Sequence, residues 1–283
     1  MKNPSLTVFS NFRINDEERL IRLKDSFYSF KDICAEKWVI NIRGKLKENT
    51  KSFLKNELKE KAIITFHESG KGWFNDSRFL TKNINTDFVM IWIEDHKNMV
   101  NIDIYKEIFK QMQISNSDYM NYTWWFLGKV YKMYSNIHKE DFGDIETFDL
   151  TYKINKKLRL ENRKPYIISL PSFFSKKLFF KILKKNDPKF RRWPKETPFD
   201  FEKKHHDTHW LPLRMSIPKF ELFACLDDDN SVDGYSLQSR GLYPKREIRK
   251  VALKSKKSFL YQFVIFFIPN KVLNILKRIT YHI

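Results

Sequence analysis

The sequence is poor in cysteine, in glycine and in long apolar runs. Its two cysteines, Cys34 and Cys225, cannot build a disulfide framework, and neither has a neighbour at metal-ligand spacing. This usage fits a reducing cytosol. Only seven glycines occur, and no Gly-x-Gly-x-x-Gly or Gly-Lys-Ser/Thr loop is found among them. Dinucleotide enzymes and P-loop enzymes, which need those turns to approach phosphate, are thereby disfavoured. No segment offers the roughly 18 to 20 unbroken apolar residues of a spanning helix. Residues 1–12 hold no apolar signal-peptide core. The expectation is a cytoplasmic chain without a spanning helix.

Hydrophobic residues make up 42% of the chain and aromatics 16%, a composition that folds. The formal charge is +19, which calls for an anionic partner. The charge is concentrated. Residues 151–195 hold 15 Lys/Arg against two acids, and residues 245–283 hold ten against one. The rest of the chain is slightly acidic. A nucleic-acid-binding protein is the alternative class for such a charge, but no helix-turn-helix, zinc-finger or RNA-recognition signature is present. No nucleic-acid partner is therefore expected.

Four apolar runs punctuate the first half: Leu6 to Phe9, Trp38 to Ile42, Ala62 to Phe66 and Phe88 to Ile93. Runs that are apolar throughout are buried on both faces, as in a parallel sheet covered by helices. Between the first two, Leu20, Leu23, Phe27 and Phe30 recur at helical intervals. Asn15 followed by Glu18 has capping-box spacing and predicts the start of that helix. Each run ends in polar residues: Asn11, Arg43, Glu68, and Glu94-Asp95-His96. Ligands of open α/β sheets bind outside the carboxyl ends of the strands, so these residues are expected to converge on one crevice.

The segments Thr7-Val-Phe-Ser-Asn-Phe-Arg13 and Phe88-Val-Met-Ile-Trp-Ile-Glu-Asp-His96 resemble the nucleotide-binding half of family-2-like glycosyltransferases of bacterial surface polysaccharide synthesis. The resemblance covers about the first 110 residues. It implies an α/β fold of the GT-A type, with a mostly parallel sheet flanked by helices and a C-terminal helical, membrane-associating extension. It implies residues 1–250 as the catalytic domain, with 1–115 as nucleotide half and 116–250 as acceptor half, and 251–283 as a tail. The implied substrates are a nucleotide-diphosphate sugar, a UDP-sugar first, and a glycan or lipid-linked acceptor. Asn11, Arg13, Arg43, Glu68, Asp76, Arg78 and Glu94 fall where that likeness places nucleotide contacts. Glu94, Asp95 and His96 stand where the family has an Asp-x-Asp motif for Mn²⁺ or Mg²⁺. Carboxylates and an imidazole suit that task, because a divalent ion neutralises the charge developing on the leaving diphosphate.

The second half offers a candidate base. Residues 196–210 gather three histidines beside Asp200, Glu202 and Asp207. Inverting transfer needs a group that takes the proton of the attacking hydroxyl, and Glu202 and Asp207 are the candidates. His205 and His209, at i and i+4, offer a competing metal-ligand reading. Asp227-Asp228-Asp229 after the apolar run Phe220 to Leu226 is a rival metal motif, read here as an exposed turn. Trp124, Trp125 and Phe126 read as core. At the end, Phe259 to Ile268 and the face Val272, Leu273, Leu276 and Ile279 lie among Lys256, Lys257, Lys271, Lys277 and Arg278. Short amphipathic pieces rich in Lys/Arg suit the interface of an anionic membrane. That places the chain peripherally on the cytoplasmic face of the inner membrane.

Overall fold

The computed structural model of the chain describes residues 3–120, 134–161, 171–183, 197, 210–227 and 236–244. Glu202, Asp207, His205, His209, Trp124, Trp125, Phe126, Asp228, Asp229 and the C-terminal tail lie outside the described residues. Residues 1–243 form one compact unit and 244–283 a second.

The elements run β1 (Leu6–Arg13), α1 (Glu17–Phe30), β2 (Lys37–Arg43), α2 (Lys47–Leu58), β3 (Ala62–Thr65), α3 (Trp73–Leu80), β4 (Phe88–Ile91), β5 (His96–Asn98) and α4 (Ile104–Ile114). There follow β6 (Tyr119–Met120), β7 (Glu140–Asp141), β8 (Ile145–Leu150), α5 (Tyr152–Leu160), β9 (Ser172–Ser175), α6 (Lys176–Leu183), β10 (Leu213–Pro218) and β11 (Phe223–Cys225). Nine strands form one sheet in the order β3-β2-β1-β4-β9-β6-β10-β8-β7, and β5 pairs with β11 apart from it. Only β9 and β8 run against the others, so the sheet is mostly parallel in direction.

Helices cover both faces. Val8 and Phe12 of β1 point with Trp38 and Trp92 toward α1, α2 and α4. Phe9 points the other way, toward Trp73 and Phe74 of α3 and Phe179 of α6. The expected face of α1 is the buried one: Leu20, Leu23, Phe27 and Phe30. Its cap is Asp16 rather than Asn15, because the Asp16 carboxylate accepts from the Arg19 amide at 2.9 Å. Asn15 instead accepts weakly from the Lys45 amide. Glu17 and Glu18 in the first turn suit the positive end of the helix.

Two expected boundaries shift. β1 continues to Arg13, because Ser10 and Asn11 satisfy their side chains inside the fold and need no solvent. The fourth run yields a strand only to Ile91, and His96 opens a strand of its own. After β2, Gly44 turns with φ +99°, and a Cβ there would sit 2.4 Å from the Ile14 carbonyl. That close approach lets the Leu46 amide donate to Ile14 at 3.0 Å and seats α2 against the end of β1.

Trp38 packs its ring against Phe27 and Trp92, with centroids 5.6 and 5.2 Å away. Trp38→Ala is expected to cost about 3–5 kcal/mol, through lost burial plus the cavity left behind. Urea unfolding followed by far-UV circular dichroism measures it, and a cost below about 1 kcal/mol contradicts this packing.

Candidate functional site at the carboxyl edge of the sheet

The chain runs from β1 outward through β2 to β3, then crosses by α3 on the opposite face and returns as β4 on the other side of β1. The strand order therefore reverses between β1 and β4. Such a switch point opens a crevice at the carboxyl ends of the strands. Two groups of charged side chains stand along this edge.

The first group gathers at the ends of β1, β2 and β3. Arg13 pairs with Glu68, both nearly half exposed. Arg43 is mostly buried and reaches Asp76 at 3.7 Å. Asp76 is buried, accepts from the Ser69 amide at 2.8 Å and lies 3.9 Å from the His67 ring. Burial pulls the Arg43 guanidinium below its ordinary value, the nearby Arg13 adds to that, and Asp76 opposes it. The Arg43 Nε hydrogen has no acceptor among the described residues. A mostly buried cation whose one ionic contact is long is a receptive place for an anion.

Beneath this group lies a buried polar ladder. Asn11, Asn41 and Thr65 are register partners on β1, β2 and β3. Asn41 donates to Asn11 Oδ1 at 3.0 Å and to the His67 carbonyl at 2.7 Å. Its own oxygen accepts from the Thr65 hydroxyl at 2.9 Å and the His67 amide at 2.8 Å. Asn11 spends its amide on the Trp73 carbonyl and the Ser77 hydroxyl, at 3.2 and 2.9 Å. Asn11, expected as a strand-end ligand contact, is thus engaged within the protein. Arg78 is likewise engaged, donating to the Leu183 carbonyl at the end of α6 at 2.7 Å. Asp76 sits inside α3, whose N-cap is Gly72, so it is not a cap for that helix. Phe12 packs edge-on against Trp92 as core.

The second group surrounds the turn after β4. Ser26 of α1 accepts from the Trp92 indole at 2.9 Å and donates to the His96 carbonyl, which pins the turn to the helix. Glu94 and His96 part company. Glu94 turns toward Arg19, 3.7 Å away. His96 turns into the β5–β11 ladder, opposite Cys225. Asp95 bonds the His96 Nδ1 at 2.6 Å. Asp227 is not an exposed turn residue: its carboxylate accepts from Arg22 at 2.9 Å and is mostly buried. Its chain arrives here because the Leu226 amide donates to the Asp95 carbonyl at 2.7 Å. Asp227, the described member of its motif, therefore meets the Glu94-Asp95-His96 turn.

Burial and then the Asp95 charge push the Glu94 carboxyl up to about 7, with Arg19 opposing. Burial also raises Asp227, and Asp95 adds to the rise against Arg22. For Asp95 burial works upward, but the His96 ring and Arg22 outweigh it and hold the carboxyl below its usual range. Arg19 joins the two groups, since it also donates to the Arg13 carbonyl at 2.9 Å.

Mg²⁺ and Mn²⁺ seek oxygen-rich octahedral sets. Here Glu94 is turned to Arg19 and Asp227 to Arg22. The groups that converge are one carboxylate, one imidazole and one thiol: Asp95, His96 and Cys225. That donor set does not fit Mg²⁺ or Mn²⁺.

Arg19, Arg22, Asn41 and Cys225 were missed from sequence. Asn41 carried a signal, being the one polar residue inside the run Trp38 to Ile42. Arg19 and Arg22 looked like an ordinary polar helix face. Arg240 makes a two-bond pair with Glu221 at 2.7 and 3.0 Å.

No protein-family model and no curated protein matches the chain. Among solved structures it is similar to S. aureus TarS 1–349, with TM-score 0.47 and 13% identity over 77% of this chain and 59% of that one. It is similar to a structure of S. aureus TarS at TM-score 0.48 and 11% identity, over 77% of this chain and 36% of that one. A structure of S. aureus TarS 1–349 in complex with UDP-GlcNAc aligns at TM-score 0.46 and 11% identity, over 80% of this chain and 60% of that one. The match spans less than two thirds of each TarS chain.

Asn41→Ala removes the partner of the Asn11 side-chain oxygen, of the Thr65 hydroxyl and of the His67 amide and carbonyl. The expected destabilisation is about 1–3 kcal/mol. Thermal melts of Asn41→Ala against the exposed control Lys45→Ala measure it, and equal melting temperatures would remove the ladder from its structural role.

Proposed function

We propose that the chain is a glycosyltransferase, moving a sugar from a nucleotide diphosphate to a glycan or lipid-linked acceptor in cell-surface polysaccharide synthesis. The observation that carries this is Arg43: a mostly buried guanidinium whose one ionic contact is long, 3.7 Å to Asp76, beside Arg13 at the switch point of the sheet. The motif likeness over Thr7–Arg13 and Phe88–His96 supports a sugar nucleotide as the anion.

Magnitudes favour an exchange of partners. The Arg13–Glu68 pair is solvated, and such pairs contribute roughly 0–1 kcal/mol. A diphosphate offers Arg13 and Arg43 stronger, charge-assisted contacts at little loss. Glu68, released from Arg13, becomes free to accept from a ribose hydroxyl. Arg19 holds Glu94 and the Arg13 carbonyl, and so fixes the wall between the two groups.

In the reaction the acceptor oxygen attacks the anomeric carbon as the bond to the β-phosphate oxygen breaks. The electron pair leaves with the diphosphate, where Arg13 and Arg43 stabilise it. A single in-line displacement inverts the anomeric carbon, and the acceptor proton passes to a carboxylate, for which Glu202 and Asp207 remain the candidates. A UDP-sugar is the first donor to try. Arg13 and Arg43 hold the diphosphate of the nucleotide.

Membrane contact through the basic, apolar tail completes the proposal, at the cytoplasmic face of the inner membrane. Among the described residues no helix is long and apolar enough to cross a membrane. α5 carries four basic residues, Lys153, Lys156, Lys157 and Arg159, and no acid. Its Leu160 is 78% exposed. Both features suit an anionic surface.

Calorimetry with UDP and UDP-sugars tests the site. Binding is expected without added Mg²⁺ or Mn²⁺, weakened at least about tenfold by Arg13→Ala, an exposed change that spares the fold. Unchanged affinity in Arg13→Ala, or no sugar nucleotide that binds, overturns the assignment. For the base, Glu202→Gln or Asp207→Asn is expected to lower turnover by roughly 10²–10⁴-fold with binding retained. Full activity in both variants removes them from the reaction.

A further inference from the structure

We propose that Asp95, His96 and Cys225 form a zinc site that clasps β11 to the turn after β4. The site stands on its own geometry, whether or not the crevice takes a sugar nucleotide.

His96 and Cys225 are direct partners in the antiparallel β5–β11 ladder, so their side chains leave the same face of that ribbon. Both are buried, at 1% and 7% exposure. One ligand atom from each, together with one from Asp95, lies within 4.8 Å of the others. The three come from two chain segments 129 or more residues apart in sequence, held in place by backbone bonds on both sides. The Leu226 amide donates to the Asp95 carbonyl at 2.7 Å, and the Met99 amide to the Leu222 carbonyl at 2.9 Å. Ser26 holds the His96 carbonyl from the helix side. The ligands are thus positioned by the framework before any ion arrives.

The donor types select the ion. A thiolate and an imidazole with one carboxylate are a Zn²⁺ set, whereas Mg²⁺ takes oxygen. Three protein ligands leave one tetrahedral position for water or another ligand. Binding is balanced by one proton. The Cys225 thiol now donates to the Asp227 carbonyl at 2.9 Å; on coordination the S–H bond breaks, the S–Zn bond forms and the proton leaves to solvent.

The fold gives such an ion a task. β5 and β11 are three residues each, and a two-stranded ribbon that short is marginal by itself. Yet this ribbon brings Asp227 to Arg22. A metal clasp across its first rung would hold that pair in place.

The test uses the full-length chain purified without chelators. Elemental analysis is expected to find about one zinc per chain, and X-ray absorption one sulfur at about 2.3 Å from the metal. Replacement by Co²⁺ is expected to give a thiolate-to-cobalt charge-transfer band that survives Cys34→Ser, survives a large excess of Mg²⁺ and vanishes in Cys225→Ser. If Cys225→Ser fails to fold, the sulfur scattering of the native chain and of Cys34→Ser decides. Zinc-free protein that takes up no Co²⁺ overturns the proposal, as does metal bound without sulfur or a band lost in Cys34→Ser. None of these readouts depends on nucleotide binding, so failure of the zinc site and failure of the transferase assignment are separable.

Discussion

The rule that a buried amide must be fully paired governs the carboxyl edge of this sheet. Asn11 and Asn41 lie side by side inside strands that are otherwise apolar. Their pairing with Thr65, His67, Trp73 and Ser77 is nearly complete. Unpaired, each group would carry a desolvation penalty of about 1–3 kcal/mol. Paired, they tie three strand ends to α3 and to the loop after β3. Arg13, Arg43, Glu68 and Asp76 stand on that platform, so their spacing follows from it.

The same helix that covers the sheet also writes the charge of the crevice. α1 buries Leu20, Leu23 and Phe27, and its other side presents Arg19, Arg22 and Ser26 to the turn after β4. Arg19 pairs there with Glu94, and Arg22 with Asp227 and with Glu18 of the same helix. Glu94 and Asp227 are consumed by those pairs, and Asp95 by His96. This division of partners explains why a motif that resembles a metal-binding pair of acids becomes a mixed site of acid, imidazole and thiol. Arg13 and Arg43 keep contacts to spare, Arg13 because its pair is solvated and Arg43 because its one ionic contact is long.

Much of the first half was legible from the chain alone. Four apolar runs became four adjacent parallel strands, and the helical face between the first two is buried as its spacing implied. The errors were local. A side chain of asparagine can be satisfied by solvent or by a neighbouring strand, and sequence does not say which; hence β1 was cut short at Asn11. Asp16 won the cap over Asn15 because its carboxylate reaches the third amide of the helix. Asp227 looked like a turn residue because its partner, Arg22, lies more than 200 positions away in sequence.

The order of residues determined what each segment is by itself. Periodicity and run length made the strands and the helix, because burial is set by apolar pattern over a few residues. Composition placed the excess positive charge in the second half. Tertiary structure decided which residues meet. The reversal of strand order between β1 and β4 made the crevice, and the β5–β11 ladder carried Cys225 and Asp227 to Asp95 and His96. Those contacts span long stretches of chain, and neither spacing nor residue type encodes them locally. They follow only once the sheet has closed over both of its faces.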